Sequence, residues 1–371
     1  MGRLPAETDV FVIGGGPAGL AAAIAARRQG FEAVVAEPAE PPIDKACGEG
    51  IMPDGVAAAR ALGIHLEDGG ARPFRGVRFR EGALAVEAEF PTGCGLGIRR
   101  TALHQLLVNH AEAAGVRLAW GTRVLGLAAG GAETGEGPVR ARWVVGADGG
   151  DSLVRRWAGL DDLVSYSRRY GFRRHFRCEP WTDFMELHWG GACQLYITPV
   201  SDSEVCVALL SADPRLRLDD ALPRFPELQR RLRGAEASSP ERGAVTASRR
   251  LRRVSRGNVA LVGDASGSVD AITGEGMCLL FQHAAALARA MAAGDLSAYQ
   301  AAHRRAGRRP RLMASLLLRL GRQNSLRARA LRALASRPPL FGRMLAMHVG
   351  ELPVAGFAAG GLDLGWRMLT Q

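Results

Sequence analysis

The sequence predicts an α/β chain: a parallel, doubly wound sheet of the dinucleotide-binding type, interrupted by an antiparallel sheet and closed by C-terminal helices. Three observations predict it. Apolar runs end in glycine-rich turns at three places, Val12-Ile13-Gly14-Gly15-Gly16-Pro17-Ala18-Gly19, Gly146-Ala147-Asp148-Gly149 and Gly263-Asp264-Ala265. Between the last two lie the alternating runs 184–189, 194–198 and 205–210, which have the two-residue period of strands. After residue 296, leucines recur at helical spacing among arginines.

The first turn joins a short buried strand at 9–13 to an alanine-rich helix at 17–29. Gly14 permits the tight turn, Gly16 lets the backbone approach a pyrophosphate, and Gly19 lets helix and strand pack closely. Pro17 and Ala18 open the helix, whose free N–H groups and positive dipole end suit phosphates. A second strand at 33–36 ends in Glu37, 18 residues beyond Gly19. An acid there accepts from ribose hydroxyls and repels a 2′-phosphate, which argues against NADP at this turn.

Strand 139–145 leads into Gly146-Ala147-Asp148-Gly149, and strand 258–262 into Gly263-Asp264, then Gly274-Glu275-Gly276-Met277 and a helix to about 293. Asp264 is placed to accept from polyol hydroxyls, and Gly274 and Gly276 open a helix N-terminus.

This ordered triple resembles the p-hydroxybenzoate hydroxylase superfamily, which includes group A flavoprotein monooxygenases, geranylgeranyl reductases and flavin-dependent halogenases. The resemblance spans residues 9 to about 295. It implies a glutathione-reductase-type FAD-binding Rossmann domain with an inserted antiparallel substrate sheet and a helical C-terminus. It also implies FAD as cofactor, contacted by the turn residues named above, by Asp148 and Gly149, and by Arg100 at the start of the 98–107 segment, with Arg99 as the fallback. Val124, in Thr122-Arg123-Val124-Leu125, resembles the strand residue that comes beside the adenine.

The stretch Asp44-Lys45-Ala46-Cys47-Gly48-Glu49-Gly50 resembles the Lys-x-Cys-Gly motif of geranylgeranyl reductases, which runs beside the isoalloxazine. Lys45, Cys47 and Gly48 are accordingly cofactor-binding candidates, and Cys47 is the candidate catalytic proton donor. Lys45 is the single lysine beside 47 arginines.

By this reading 1–73, 98–160 and 251–295 form the FAD-binding domain, 74–97 and 161–250 the substrate sheet, and 296–371 a basic helical region. Met185, Leu187, Trp189, Tyr196 and Thr198 share one face of that sheet and are expected to wall the substrate cavity.

The resemblance leaves the reaction open. Because oxygen-using members dominate the superfamily, the lead reading is a monooxygenase, hydroxylating a lipophilic or aromatic small molecule through a flavin C4a-hydroperoxide. The motif around Cys47 points to a geranylgeranyl-reductase-like ene reductase or dehydrogenase. A flavin-binding module without turnover is the reading from another class. The halogenase Trp-x-Trp-x-Ile-Pro strand is absent, since Gln194-Leu195-Tyr196-Ile197-Thr198-Pro199 stands there. With no second glycine-rich turn after a strand, NAD(P)H or a partner reductase is expected as a transient electron donor.

Six scattered cysteines form no Cys-x-x-Cys pair, so no metal site is expected. Residues 1–8 carry no apolar signal core, and a cytoplasmic location is expected. Segment 301–343 holds twelve arginines and no acid, against a net charge of +11 for the whole chain. Its leucines predict amphipathic helices broken at Pro310 and at Pro338-Pro339. One reading makes it a helical cap with solvated arginines. The other makes it a basic surface for a carrier protein or the inner membrane face. A single aromatic there, Phe341, argues against nucleic acid.

Overall fold

The computed structural model describes residues 4–353. Strand Glu7–Ile13 lies at the centre of an eight-stranded sheet, parallel to Ala33–Glu37 on one side and to Gly137–Gly146 on the other. Arg117–Trp120 extends the first side, and Val259–Leu261 the second, also in parallel. From Val10 to Ile13 the central strand is apolar and buried on both faces, as parallel sheets require. Helix Pro17–Arg28 packs against the late helix Gly276–Ala292. All three glycine turns therefore emerge from the carboxyl ends of adjacent parallel strands, Glu7–Ile13, Gly137–Gly146 and Val259–Leu261. This is where open α/β sheets bind ligands.

A second eight-stranded sheet is built from the interrupting segments. Leu163–Arg177, Glu204–Ser211, Cys193–Ser201 and Phe184–Gly190 pair antiparallel in that order. The expectation of a purely antiparallel sheet needs correction at one seam, where Phe184–Gly190 runs parallel to Gly76–Glu81. Those strands come from separate passes of the chain, with no hairpin between them to impose opposite directions. Segment 74–97 also divides, since Gly95–Gly97 joins Gly50–Ile51 and Arg72–Phe74 in a small third sheet.

Alternation along the second sheet separates two cores. Leu195, Ile197, Val205, Val207 and Leu209 face a cluster that includes Leu218, Phe225 and Leu228. Met185, Leu187, Trp189 and Tyr196 face the main core, on the side toward the cofactor domain.

The C-terminal helices are Leu296–Ala306, Arg308–Arg322, Asn324–Ser336 and Pro338–His348. The predicted break at Pro310 is displaced to Gly307. Pro310 lies in the first turn of its helix, where no backbone N–H is required. Pro338 opens the last helix in the same way. Of the predicted basic region 296–371, residues 354–371 lie outside the described part. Among the described residues no helix is long and apolar enough to cross a membrane.

Candidate active site

The first turn is dense backbone. A Cβ built on Gly14, whose φ is 115°, would lie 2.5 Å from the Ala147 carbonyl oxygen. One on Gly19 would lie 1.9 Å from the carbonyl oxygen of Gly14. Gly16, by contrast, has nothing within 4 Å of its missing Cβ, so the backbone is open on its ligand side. Glu37 reaches back across the turn, where Oε2 accepts from the Gly15 N–H at 2.8 Å. Thr122 donates its N–H to the Glu37 carbonyl at 3.0 Å, which brings the chain into strand Val124–Ala128 beside the acid. An open glycine cradle at a helix N-terminus, with a carboxylate beside it, fits the pyrophosphate and ribose of FAD.

Asp148 turns inward instead. Its Oδ2 accepts from the N–H groups of Leu153 and Val154 at 2.7 and 3.1 Å, and Oδ1 accepts from Ser152 Oγ at 2.5 Å. The carboxylate thus caps helix Leu153–Trp157, and the neighbouring Gly149 is the open position, with φ of 81° and nothing within 4 Å. Buried Arg155 ties the second turn to the third, donating to Gly150 O at 3.0 Å and Ala265 O at 3.3 Å.

At the other end of the cleft, Lys45 Nζ pairs with Asp264 Oδ2 at 3.1 Å, both half-exposed. Gly263 stands against helix Pro17–Arg28, where its own Cβ would meet that of Ala18 at 2.5 Å. Cys47 Sγ lies 3.8 Å from Met277 Sδ at the start of helix Gly276–Ala292. Burial pushes the Cys47 thiol up, partly offset by the Arg100 guanidinium, so it is held as a thiol rather than a thiolate. Gly48 and Gly276 both face open space, and Gly274 adopts φ of 70° with Met52 3.3 Å from its missing Cβ. Arg100 begins its helix with a buried Nε that no described residue partners. Arg99 turns the other way, toward Glu204 at 3.4 Å and His175 Nδ1 at 3.3 Å. An orphaned guanidinium nitrogen, open glycines and a neutral thiol lining one groove fit a flavin ring.

A buried charge cluster beneath the Cys47 loop carries no local sequence signature. Glu49 adopts φ of 60° and accepts from the Arg100 N–H at 2.9 Å through Oε1. Its Oε2 lies 2.6 Å from His175 Nε2, and Arg173 Nε is 3.6 Å from Oε1. Arg173 also bonds Asp44, so one guanidinium balances two carboxylates. The hint in the sequence was an acid within a glycine-rich loop, where a left-handed residue must be held from outside.

On the far side of the Cys47 loop, the inner face of the second sheet and the C-terminal helices enclose a cavity of about 340 Å³. Its walls include Met52, Phe79, Met185, Trp189, Tyr196, Ile272, Leu317, Leu331, Phe341 and His348. Two of the five predicted wall residues do not reach it. Leu187 is fully buried in the core, and Thr198 gives its hydroxyl to the Gly48 carbonyl at 2.7 Å. Both share the face of Met185 but lie where the sheet meets other elements. Tyr196 donates to the Ile272 carbonyl, fastening the sheet to the loop before Gly274.

The arginine-rich segment divides as well. Arg327 is buried, bonds Glu81 and Asn324, and stacks 5.4 Å from the Trp189 ring, so it is part of the wall and not a solvated charge.

Replacing Glu37 by arginine should release most of the bound FAD while leaving the fold intact. The substitution removes the acceptor of Gly15 and puts a cation at the turn. Full yellow occupancy of the purified variant would detach this acid from the nucleotide.

Residues 7–175 match the family model described as "FAD binding domain". The menaquinone reductase of Mycobacterium tuberculosis is 29% identical over 310 residues, covering 73% of each chain. The digeranylgeranylglycerophospholipid reductase of Methanosarcina mazei is 29% identical over 322 residues, covering 78% of this chain and 77% of its own. A flavoprotein/dehydrogenase structure from Cytophaga hutchinsonii superposes with a TM-score of 0.79 at 18% identity, over 92% of each chain. Residues 7–175 are thus an FAD-binding domain of the p-hydroxybenzoate hydroxylase type, on a fold shared with FAD-dependent oxidoreductases.

Proposed function

We propose that this enzyme reduces a carbon–carbon double bond in a lipophilic, prenyl-type substrate. The observation that carries the reading is the cavity's wall. Its side chains are almost all hydrocarbon, and the polar atoms among them are taken. The Tyr196 hydroxyl is given to Ile272, the Thr273 hydroxyl to the Asp270 carbonyl, and the Arg327 guanidinium to Glu81 and Asn324. Apart from Arg319, exposed at the rim, the Trp189 indole N–H and His348 are the polar groups left to a ligand. Such a wall holds a hydrocarbon chain by burying its area and offers little to orient a phenol or an aromatic acid. The two reductases similar over most of the chain support this, because one is named for a geranylgeranylated lipid and the other for a lipid quinone.

FAD supplies the two-electron chemistry when bound, with NAD(P)H or a partner reductase as the transient donor. The chain's part is to hold the double bond against the groove of Cys47, Gly48 and Gly276 and to keep water out. Monooxygenation, which the sequence placed first, is the second reading, since a dry cavity also protects an oxygen adduct. The test is single turnover of dithionite-reduced enzyme with a geranylgeranyl lipid under argon. Flavin reoxidation with gain of two hydrogens by the lipid is expected. Reoxidation only after air is admitted, with one oxygen added to a substrate, overturns the reductase reading.

Cys47 is the first proton donor to examine. Cys47→Ser should lower turnover about 10²-fold if the thiol donates, and only a few-fold if it merely packs beside Met277.

The same reading gives the exposed arginines of 301–343 a task. Arg304, Arg305, Arg308, Arg319, Arg322, Arg329 and Arg332 point outward, without a carboxylate partner among the described residues, the last five on helices whose inner faces wall the cavity. An enzyme for a membrane lipid gains from meeting anionic lipid there, each arginine adding about 1 kcal/mol near the surface. Binding to phosphatidylglycerol vesicles is expected, with none to phosphatidylcholine and a steep fall with salt. Glutamine at 304, 305, 308, 319 and 322 should abolish it with FAD content unchanged. No binding at low salt would leave these helices as a cap alone.

A further inference from the structure

The last described helix, Pro338–His348, ends by inserting His348 between the cavity and the loop that opens helix Gly276–Ala292. The residue is 8% exposed and lines the cavity. Its Nε2 faces two acceptors, Glu275 Oε1 at 2.9 Å and the Thr273 carbonyl at 3.3 Å, so Nε2 carries a hydrogen. Nδ1 is buried with no partner among the described residues. Glu275 is itself buried and belongs to the Gly274-Glu275-Gly276 turn. Behind it lies Asp54, which accepts from Gln282 at 2.9 Å and has a bare, buried Oδ1. Carboxylate oxygens of Asp54 and Glu275 and the Cys278 sulfur lie within 4.8 Å of one another.

We propose that His348, oriented by Glu275, is the acid that protonates the substrate in the apolar cavity. This rests on the reductase reading, and it names the group that completes the addition. Besides the Cys47 thiol at the groove and the non-acidic Trp189 indole N–H, His348 is the acid this wall offers, and its unpartnered Nδ1 is the atom free to carry the proton. The step balances simply. The Nδ1–H bond breaks and a C–H bond forms at one carbon, while the other carbon receives its hydrogen and the electron pair from the two-electron-reduced flavin. His348 is left neutral, with its Nε2–H still on the Thr273 carbonyl beside Glu275, and regains a proton from solvent when product leaves.

The surrounding charges favour the protonated imidazole. Burial opposes the charge on His348, but the carboxylates of Glu275 and Asp54 outweigh it and hold its pKa above the ordinary value. Burial and the neighbouring Glu275 push Asp54 up to about 7, so that it is about half protonated in neutral solution. Cys278, the other titratable group against these carboxylates, is raised far by burial and stays a neutral thiol. The carboxyl groups on the Nε2 side of His348 therefore favour its imidazolium form. Glu275 and Asp54 are positioning residues.

The test uses FAD-loaded enzyme and two variants. His348→Gln should lower single-turnover reduction of the geranylgeranyl lipid about 10²-fold with KM unchanged, and should remove the alkaline limb of the pH profile. Glu275→Gln should shift that limb to lower pH, because the imidazolium loses its counter-charge. A readout free of turnover is the ¹⁵N NMR titration of His348 in oxidised, substrate-free enzyme. Its midpoint should lie above that of an exposed histidine and fall in Glu275→Gln. A His348→Gln enzyme that reduces the lipid at wild-type rate with an unchanged pH profile overturns the proposal. So does a His348 midpoint indifferent to Glu275. Wild-type enzyme that reduces no prenyl double bond overturns the reductase reading itself, a failure visible before any variant is made.

Discussion

Gly19→Ala should yield a protein without FAD and destabilised by about 3 kcal/mol or more. The added methyl has no room. Its ideal position lies 1.9 Å from the Gly14 carbonyl oxygen, 3.1 Å from that residue's carbonyl carbon and 3.2 Å from Ala147 Cβ. Two of these neighbours are backbone in the turn, so no side chain can swing aside to relieve them. Relief requires helix Pro17–Arg28 to move away from strand Glu7–Ile13. That exposes fully buried Leu20 and Ala21 and withdraws the helix N-terminus from the cradle. Overpacking of this kind costs about 1–3 kcal/mol where side chains can yield, and more against fixed backbone. The checks are flavin absorbance after gel filtration and urea unfolding of the apoprotein. Normal flavin content with an unchanged midpoint would mean that helix and strand are not in such close contact.

Arg173→Met should be the most damaging change outside the glycine turns, at about 3–5 kcal/mol. The methionine fills similar space but leaves Glu49, which is 1% exposed, with its cation gone. Asp44 keeps Arg242 at 3.4 Å and is 20% exposed, so most of the penalty falls on Glu49. Glu49 holds a left-handed backbone in the loop that presents Cys47, and its hold on the Arg100 N–H keeps helix Arg100–Ala113 registered to that loop. The flavin spectrum should therefore shift in whatever protein folds. Arg173→Met combined with Glu49→Gln should recover a large part of the stability, because the uncompensated charge is then gone. Equal stability of the single variant and wild type would show that solvent or His175 already compensates Glu49.

The cofactor half of the site was legible because each of its parts is local in the chain. A strand, a glycine turn and a helix N-terminus are short-range objects, even where the space denied to a Cβ, as at Gly14 and Gly263, is taken by the distant Ala147 and Ala18. Glu37 could be placed on the same grounds, since a strand of known start ends a countable distance later. Asp148 shows the limit of such reasoning. Its position after a strand was right, but whether its oxygens face a ligand or the next helix depends on Ser152 and the first turn of Leu153–Trp157. A one-dimensional motif does not distinguish the two.

The substrate side was legible only in outline. Two-residue alternation named the face holding Met185, Trp189 and Tyr196, but a face is not a cavity. Leu187 and Thr198 share it and are covered by neighbouring elements. The arginine run was read as one surface because charge is counted along the chain. Arg327 departs from it, since one helical position turned inward meets Glu81, a residue 246 positions away.

Taken by itself, the sequence determined the doubly wound FAD domain, the interrupted sheet and the glycines that shape the cradle, because backbone conformation and apolar periodicity are encoded within a few residues. Only the tertiary structure decided which polar groups meet: Glu49 with Arg173 and His175, and His348 with Glu275 and Asp54. These groups come from segments joined by no local pattern. Their electrostatic coupling exists only once folding has removed the water between them and lowered the dielectric that would screen it.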